Sequence, residues 1–90
     1  MKVILIYEES HNIIGVANNY YNAIRFLLEE QWITSGATLY DERCSQWKPI
    51  EECLGKNWKE YLLDKCDINT FNDMFEDWIG LSSREVYGTD

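Results

Sequence analysis

The sequence predicts a small α+β domain: an antiparallel sheet of three to five strands with helices packed on one face. Three observations lead to this. Residues 3–7, VILIY, form an unbroken β-branched and aromatic run of the kind that makes a central strand buried on both faces. Tyr20, Ala23, Ile24, Leu27 and Leu28 recur at helical spacing. Strand-like and helix-like segments alternate through all 90 residues without a repeat, a low-complexity tract or a linker, which fits one domain.

Taken in order, the first strand is bounded by Glu8, Glu9 and the turn cluster Ser10-His11-Asn12. A second strand spans 13–17, and the short connection makes the two an antiparallel hairpin. Gly15 inside it marks a bulge or a close approach by another element. Asn18 or Asn19 caps a helix over 19–32, with Trp32 continuing its apolar stripe and Gly36 as a left-handed closing residue. A third strand, 37–40, turns at Asp41-Glu42-Arg43 into a fourth, 45–48. Pro49 opens a short helix that Gly55 stops. Asn57 caps a helix over 58–66 with Trp58, Tyr61 and Leu62 facing inward. Asp67 or Asn69 caps another, carrying Phe71, Met74 and Phe75. A last strand covers 77–81. Ser82-Ser83-Arg84-Glu85 has capping-box spacing and predicts a final helical turn, packed down by Val86 and Tyr87.

Sixteen acidic against eight basic side chains give a net charge of −8, the wrong sign for gripping phosphates or an anionic membrane surface. That balance instead suits a partner protein with a basic surface, approached by electrostatic steering, or serves solubility alone. Cys44, Cys53 and Cys66 are odd in number and widely spaced, so they form neither a disulfide framework nor a zinc signature. Reduced thiols in a cytoplasm are expected. The apolar N-terminal run is too short for a signal peptide or a membrane span.

Candidate chemistry is sparse. His11, the one histidine, follows Glu8 and Glu9 as a general base would, but it falls in a turn. Cys44 follows Arg43, whereas Cys53 and Cys66 fall on apolar helix faces. There is no P-loop, GxGxxG, GxSxG or HExxH, so no cofactor, metal ion or catalytic residue is assigned. The acidic doublets include Glu29-Glu30, Asp41-Glu42 and Glu51-Glu52. Carboxylates on neighbouring helical turns stand about 5–6 Å apart. That spacing imitates part of the field of duplex DNA, which carries a charge about every 1.7 Å. The alternative is ordinary solvated faces. Tyr40 and Trp47 flank the 41–43 turn and are either an interface or a cross-strand aromatic pair. The candidate interface is therefore Glu29, Glu30, Tyr40, Asp41, Glu42, Trp47, Glu51 and Glu52.

The opening stretch pairs an apolar strand with Glu8-x-x-His11, then Ile14-Gly15-Val16-Ala17, then a helix through Phe26 and Leu27 to Trp32. With the later GKNWKEYLL and INTFNDMFEDW, this resembles a group of small acidic proteins encoded by bacteriophages and prophages. The resemblance implies no catalytic residue. It implies a non-enzymatic protein that binds and blocks a host defence or nucleic-acid-handling protein such as a CRISPR effector nuclease; the sequence leaves monomer and homodimer both open. A nucleotide-sequestering module and a phage assembly protein are the competing expectations.

Overall fold

The computed structural model describes residues 2–41, 44–75 and 78–85, without the side chain of Asp41. Its elements are β1 (Lys2–Glu8), β2 (Ile13–Ala17), α1 (Tyr20–Glu29), β3 (Thr38–Asp41), β4 (Gln46–Pro49), α2 (Ile50–Leu54), α3 (Trp58–Glu60), a π-helical turn (Tyr61–Lys65), α4 (Ile68–Phe75) and β5 (Ile79–Glu85). The fold is α+β. Its strands divide between two antiparallel sheets, β2-β1-β5 and β3-β4, where the sequence suggested one. A central strand has only two edges; β2 and β5 take both edges of β1, and the β3-β4 hairpin satisfies its bonds locally.

β1 is central, but among the described residues helices cover one of its faces only. Ile4 and Ile6 point into the core with Ala23, Ile24, Leu27, Phe71 and Phe75, while Val3, Leu5 and Tyr7 alternate to the other side and stay half-covered. In β2 both expectations for Gly15 are realised. Ile14 is an extra residue between the Ile6–Gly15 and Tyr7–Ile13 pairs, a bulge. A Cβ on Gly15 would stand 2.9 Å from Phe26 Cζ and 3.3 Å from Ile6 Cδ1, so the missing side chain lets the Phe26 ring lie on the sheet.

Asn19 caps α1, its side chain accepting from Asn22 N at 2.9 Å. The helix stops at Glu29, a turn earlier than the apolar stripe suggested. Gln31 adopts φ 61°, and the amides of Trp32 and Gln31 donate to the Leu27 and Leu28 carbonyls at 2.9 and 3.3 Å. That is a Schellman closure with Gln31 as its left-handed residue; Gly36 has no positive φ. Trp32 consequently leaves the stripe and is exposed.

Pro49 closes β4 opposite Thr38 and precedes α2 rather than opening it. The predicted helix over 58–66 divides into α3 and the π-helical turn, with Trp58 and Leu62 buried as expected. Asn57 holds the cap position without a side-chain bond. Asp67 caps α4, accepting from Thr70 N at 2.8 Å.

The 82–85 segment is a strand, not a helical turn. Residues Ser82 to Glu85 pair with Leu5 to Lys2, because an unpaired edge of the buried central strand outweighs a local capping pattern. Asn72 on α4 then holds the outer edge of β5: its Nδ2 donates to Leu81 O at 2.9 Å and its Oδ1 accepts from Leu81 N at 2.8 Å. Val86 and Tyr87, like Asp77, lie outside the described residues.

The Gly15–Phe26 contact makes a direct prediction. Gly15→Ala is expected to lower unfolding free energy by about 1–3 kcal/mol in urea titrations. Adding Phe26→Leu is expected to restore part of that loss; a larger loss in the double variant would contradict the contact.

Candidate functional site

The β3-β4 hairpin owes its two faces to strand alternation. Leu39 is buried and, with Ile50, ties the hairpin to the core; Ile50 N donates to Ala37 O at 2.9 Å and closes its base. The opposite face carries Tyr40 and Trp47, directly paired in register. Their rings meet edge to face at 5.5 Å and 62°. Tyr40 is nevertheless 46% exposed and Trp47 54%. The two sequence readings are therefore compatible: the residues form a cross-strand pair, and that pair faces solvent.

Trp47 also borders a groove of about 280 Å³, with Gly36, Ala37 and Thr38 along it and Trp78 on the far wall. Trp78 is held from below. Its ring sits edge to face on Phe75 at 5.2 Å, and Phe75 stacks on Phe71 at 4.5 Å. Trp78 N donates to Phe75 O at 3.0 Å. The same indole walls a second concavity, of about 210 Å³, shared with Tyr7, His11, Gly80 and Arg84 and with the acidic pair Glu8 and Glu9. Gly80 lies opposite Tyr7 in β5, and the space a Cβ would occupy there is open. An aromatic strip thus runs from the hairpin across Trp78 to Tyr7.

The acidic candidates divide between two parts of the molecule. Glu51 and Glu52 are exposed in the first turn of α2, which packs on β3 and β4, so they belong with Tyr40 and Trp47. Their charges suit a helix N-terminus. Asp41 ends β3 opposite Gln46; Glu42 and the carboxylate of Asp41 lie outside what the structure describes. Glu29 and Glu30 end α1, which packs on β2 and the π-helical turn instead. Arg25 Nη2 pairs with Glu29 Oε1 at 2.9 Å and offsets that charge. Trp78, His11 and Arg84 were not among the sequence candidates for the interface. Nothing local marks them, because the β1–β5 pairing brings together residues some seventy positions apart.

His11 is exposed with φ 65° in the β1-β2 turn. The carboxylate of Glu8 accepts from the backbone amides of Ser10 and Asn12 at 3.0 and 3.3 Å, so it braces the turn rather than the imidazole. The cysteines form no disulfide. Cys53 and Cys66 pack against the core as expected, and Cys44 is exposed. Burial pushes the Cys66 thiol up, and burial followed by the Cys66 contact pushes the Tyr20 hydroxyl far up. Both stay protonated at neutral pH, which makes them structural partners rather than activated nucleophiles. Tyr20 Oη donates to Leu62 O at 2.7 Å and locks the π-helical turn to α1. Among the described residues, no group of three or more His, Cys, Asp or Glu side chains is arranged to hold a metal ion, and no helix is long and apolar enough to cross a membrane.

No protein-family model, curated protein or solved structure matches the chain.

The Tyr20 lock sets a pH dependence. Its pKa is raised on folding, so its contribution is fully present below the ordinary value of 10.0 and is lost as pH rises through the folded value. Tyr20→Phe is expected to cost about 1 kcal/mol at pH 7. The Tm gap between wild type and variant is expected to narrow above the ordinary tyrosine pKa; a gap that widens there would contradict the assignment.

Proposed function

We propose that this protein is a binding module that occupies a basic surface of another protein stoichiometrically, with the outward face of the β3-β4 hairpin as its anchor. The observation that carries the reading is the Tyr40–Trp47 pair, solvent-exposed on a hairpin whose other face is fixed by buried Leu39. Exposed Trp and Tyr on a rigid support are the residue types that dominate interface energetics, since they bring large contact area at little entropic cost. Glu51 and Glu52 on the adjoining α2 and the net charge of −8 favour a basic partner and fast, salt-sensitive association. In its particular form, the proposal is a phage-encoded inhibitor in the bacterial cytoplasm acting on a host defence or nucleic-acid-handling protein. The resemblance to small acidic phage-encoded proteins, which covers most of the chain, supports that choice of partner.

A second reading rests on the concavity lined by Tyr7, His11, Trp78 and Arg84, where aromatic side chains and one guanidinium would meet the base and phosphate of a nucleotide, although Glu8 and Glu9 line the same concavity and oppose its charge. A thermal-shift series with nucleotides separates the two: no stabilisation by any of them removes this second reading.

The leading proposal is tested by capture from bacterial lysate, followed by titration of the captured partner. Trp47→Ala and Tyr40→Ala are each expected to weaken binding about 30-fold, a hot-spot effect near 2 kcal/mol. Wild-type binding is expected to weaken as salt rises. Full affinity in both variants would overturn the hairpin as anchor.

A further inference from the structure

The two edges of the three-stranded sheet are treated differently. Every sheet edge exposes backbone donors and acceptors that template another strand, and proteins cover or charge the edges they do not use. On β5 the Asn72 carboxamide takes both the N–H and the C=O of Leu81, and the strand ends in Ser82, Ser83, Arg84 and Glu85. That edge is closed at its centre and charged at its end.

β2 carries a bulge at Ile14, but its later part has neither cover nor charge. Among the described residues, Ile13–Ala17 pair with β1 and with no other backbone or side-chain group. The strand contains neither lysine nor proline, and no charged side chain occurs from Asn12 to Ile24. Ile13 and Val16 point to the sheet face that no described helix covers and are 55% and 61% exposed. Beside them on β1, Leu5 lies opposite Val16 and Tyr7 opposite Ile13, extending the apolar surface. The bulge at Ile14 bends the beginning of β2 and leaves its later part, from Gly15 onward, as the regular edge.

We infer that β2 pairs antiparallel with β2 of a second copy of this chain, about a two-fold axis near Val16, joining two three-stranded sheets into one of six strands. Charge selects this occupant and this direction. Copies with a net charge of −8 repel over most of their surfaces, and the neutral 12–24 stretch is where that repulsion is least. Antiparallel pairing about Val16 sends the two Glu8-Glu9 turns to opposite ends of the joint. At about 3.4 Å per residue they stand roughly 20 Å apart. That exceeds the screening length of about 8–10 Å at physiological salt. Parallel pairing would set them side by side. A basic strand from another protein would find no carboxylate along this edge to answer it. The joint is isologous, so it closes at two copies, and Asn72 on the outer β5 edges stops the sheet from growing further. The surface lies apart from the hairpin anchor, so the inference does not depend on the proposed function.

Sedimentation velocity from micromolar to millimolar concentration tests it, alongside amide hydrogen exchange. The expected mass rises from 10.7 kDa toward twice that and no further, while the amide of Val16, which alternation directs away from β1, exchanges more slowly at the higher concentration. Val16→Lys places two ammonium groups opposite each other at the axis and is expected to hold the mass at the monomer value with unchanged far-ultraviolet circular dichroism. A monomer at every concentration overturns the inference and leaves β2 to a strand from another protein. A dimer in which the Val16 amide gains no protection, or one that a folded Val16→Lys variant still forms, overturns it too.

Discussion

The pairing of β1 with β5 is the constraint on which the rest of the molecule depends. Seven registered residue pairs, Lys2–Glu85 through Glu8–Ile79, join the first and last described strands. This places Ile4, Ile6, Ile79 and Leu81 on one face, and α1 and α4 cover that face. It also fills the second edge of β1, which leaves β3 and β4 to pair with each other as a separate hairpin. The closure of a long chain loop is entropically costly, and burial of the shared apolar face offsets it.

The same pairing gives the surface its aromatic strip. Because β5 follows α4 directly, Trp78 is fixed at the corner between them, resting on the Phe71–Phe75 stack. The indole is thereby a rigid wall rather than a loose surface side chain, and it separates the groove beside Trp47 from the one beside Tyr7 and His11. Rigidity matters for binding, since an anchor already held in place loses little entropy when a partner covers it. The hairpin gains its rigidity from Leu39 beneath and Ile50 at its base.

Charge acts at longer range. Among the described residues the acidic groups are spread over strands, helices and loops rather than gathered on one element, so they govern approach and like-charge repulsion more than any single contact. Where the chain is neutral, along β2 and the start of α1, it also leaves Val16 exposed, the most exposed large hydrophobic among the described residues. The proposed partner surface is the hairpin face, and the inferred self-pairing surface is the neutral β2 edge.

By itself the sequence determined what short-range patterns encode. The VILIY run, the Ser10-His11-Asn12 turn and the placement of Gly15 specified the β1-β2 hairpin, and the Ala23-Ile24-Leu27 stripe behind Asn19 specified α1. Tyr40 and Trp47 were marked as a pair because two short strands flanked one turn, and their exposure followed from Leu39 taking the inward position. The tertiary structure alone decided what depends on unpaired edges and on contacts distant in sequence. The capping-box pattern at 82–85 yielded to the open edge of β1. Trp32 left its stripe when Gln31 closed the helix. The separation of Glu29 and Glu30 from Glu51 and Glu52 followed from α1 and α2 packing on different partners. Trp78, Tyr7, His11 and Arg84 came to share one concavity through the β1–β5 register. Local periodicity cannot encode such outcomes, because each is settled by which backbone edge or apolar face remains uncovered once the other elements have packed.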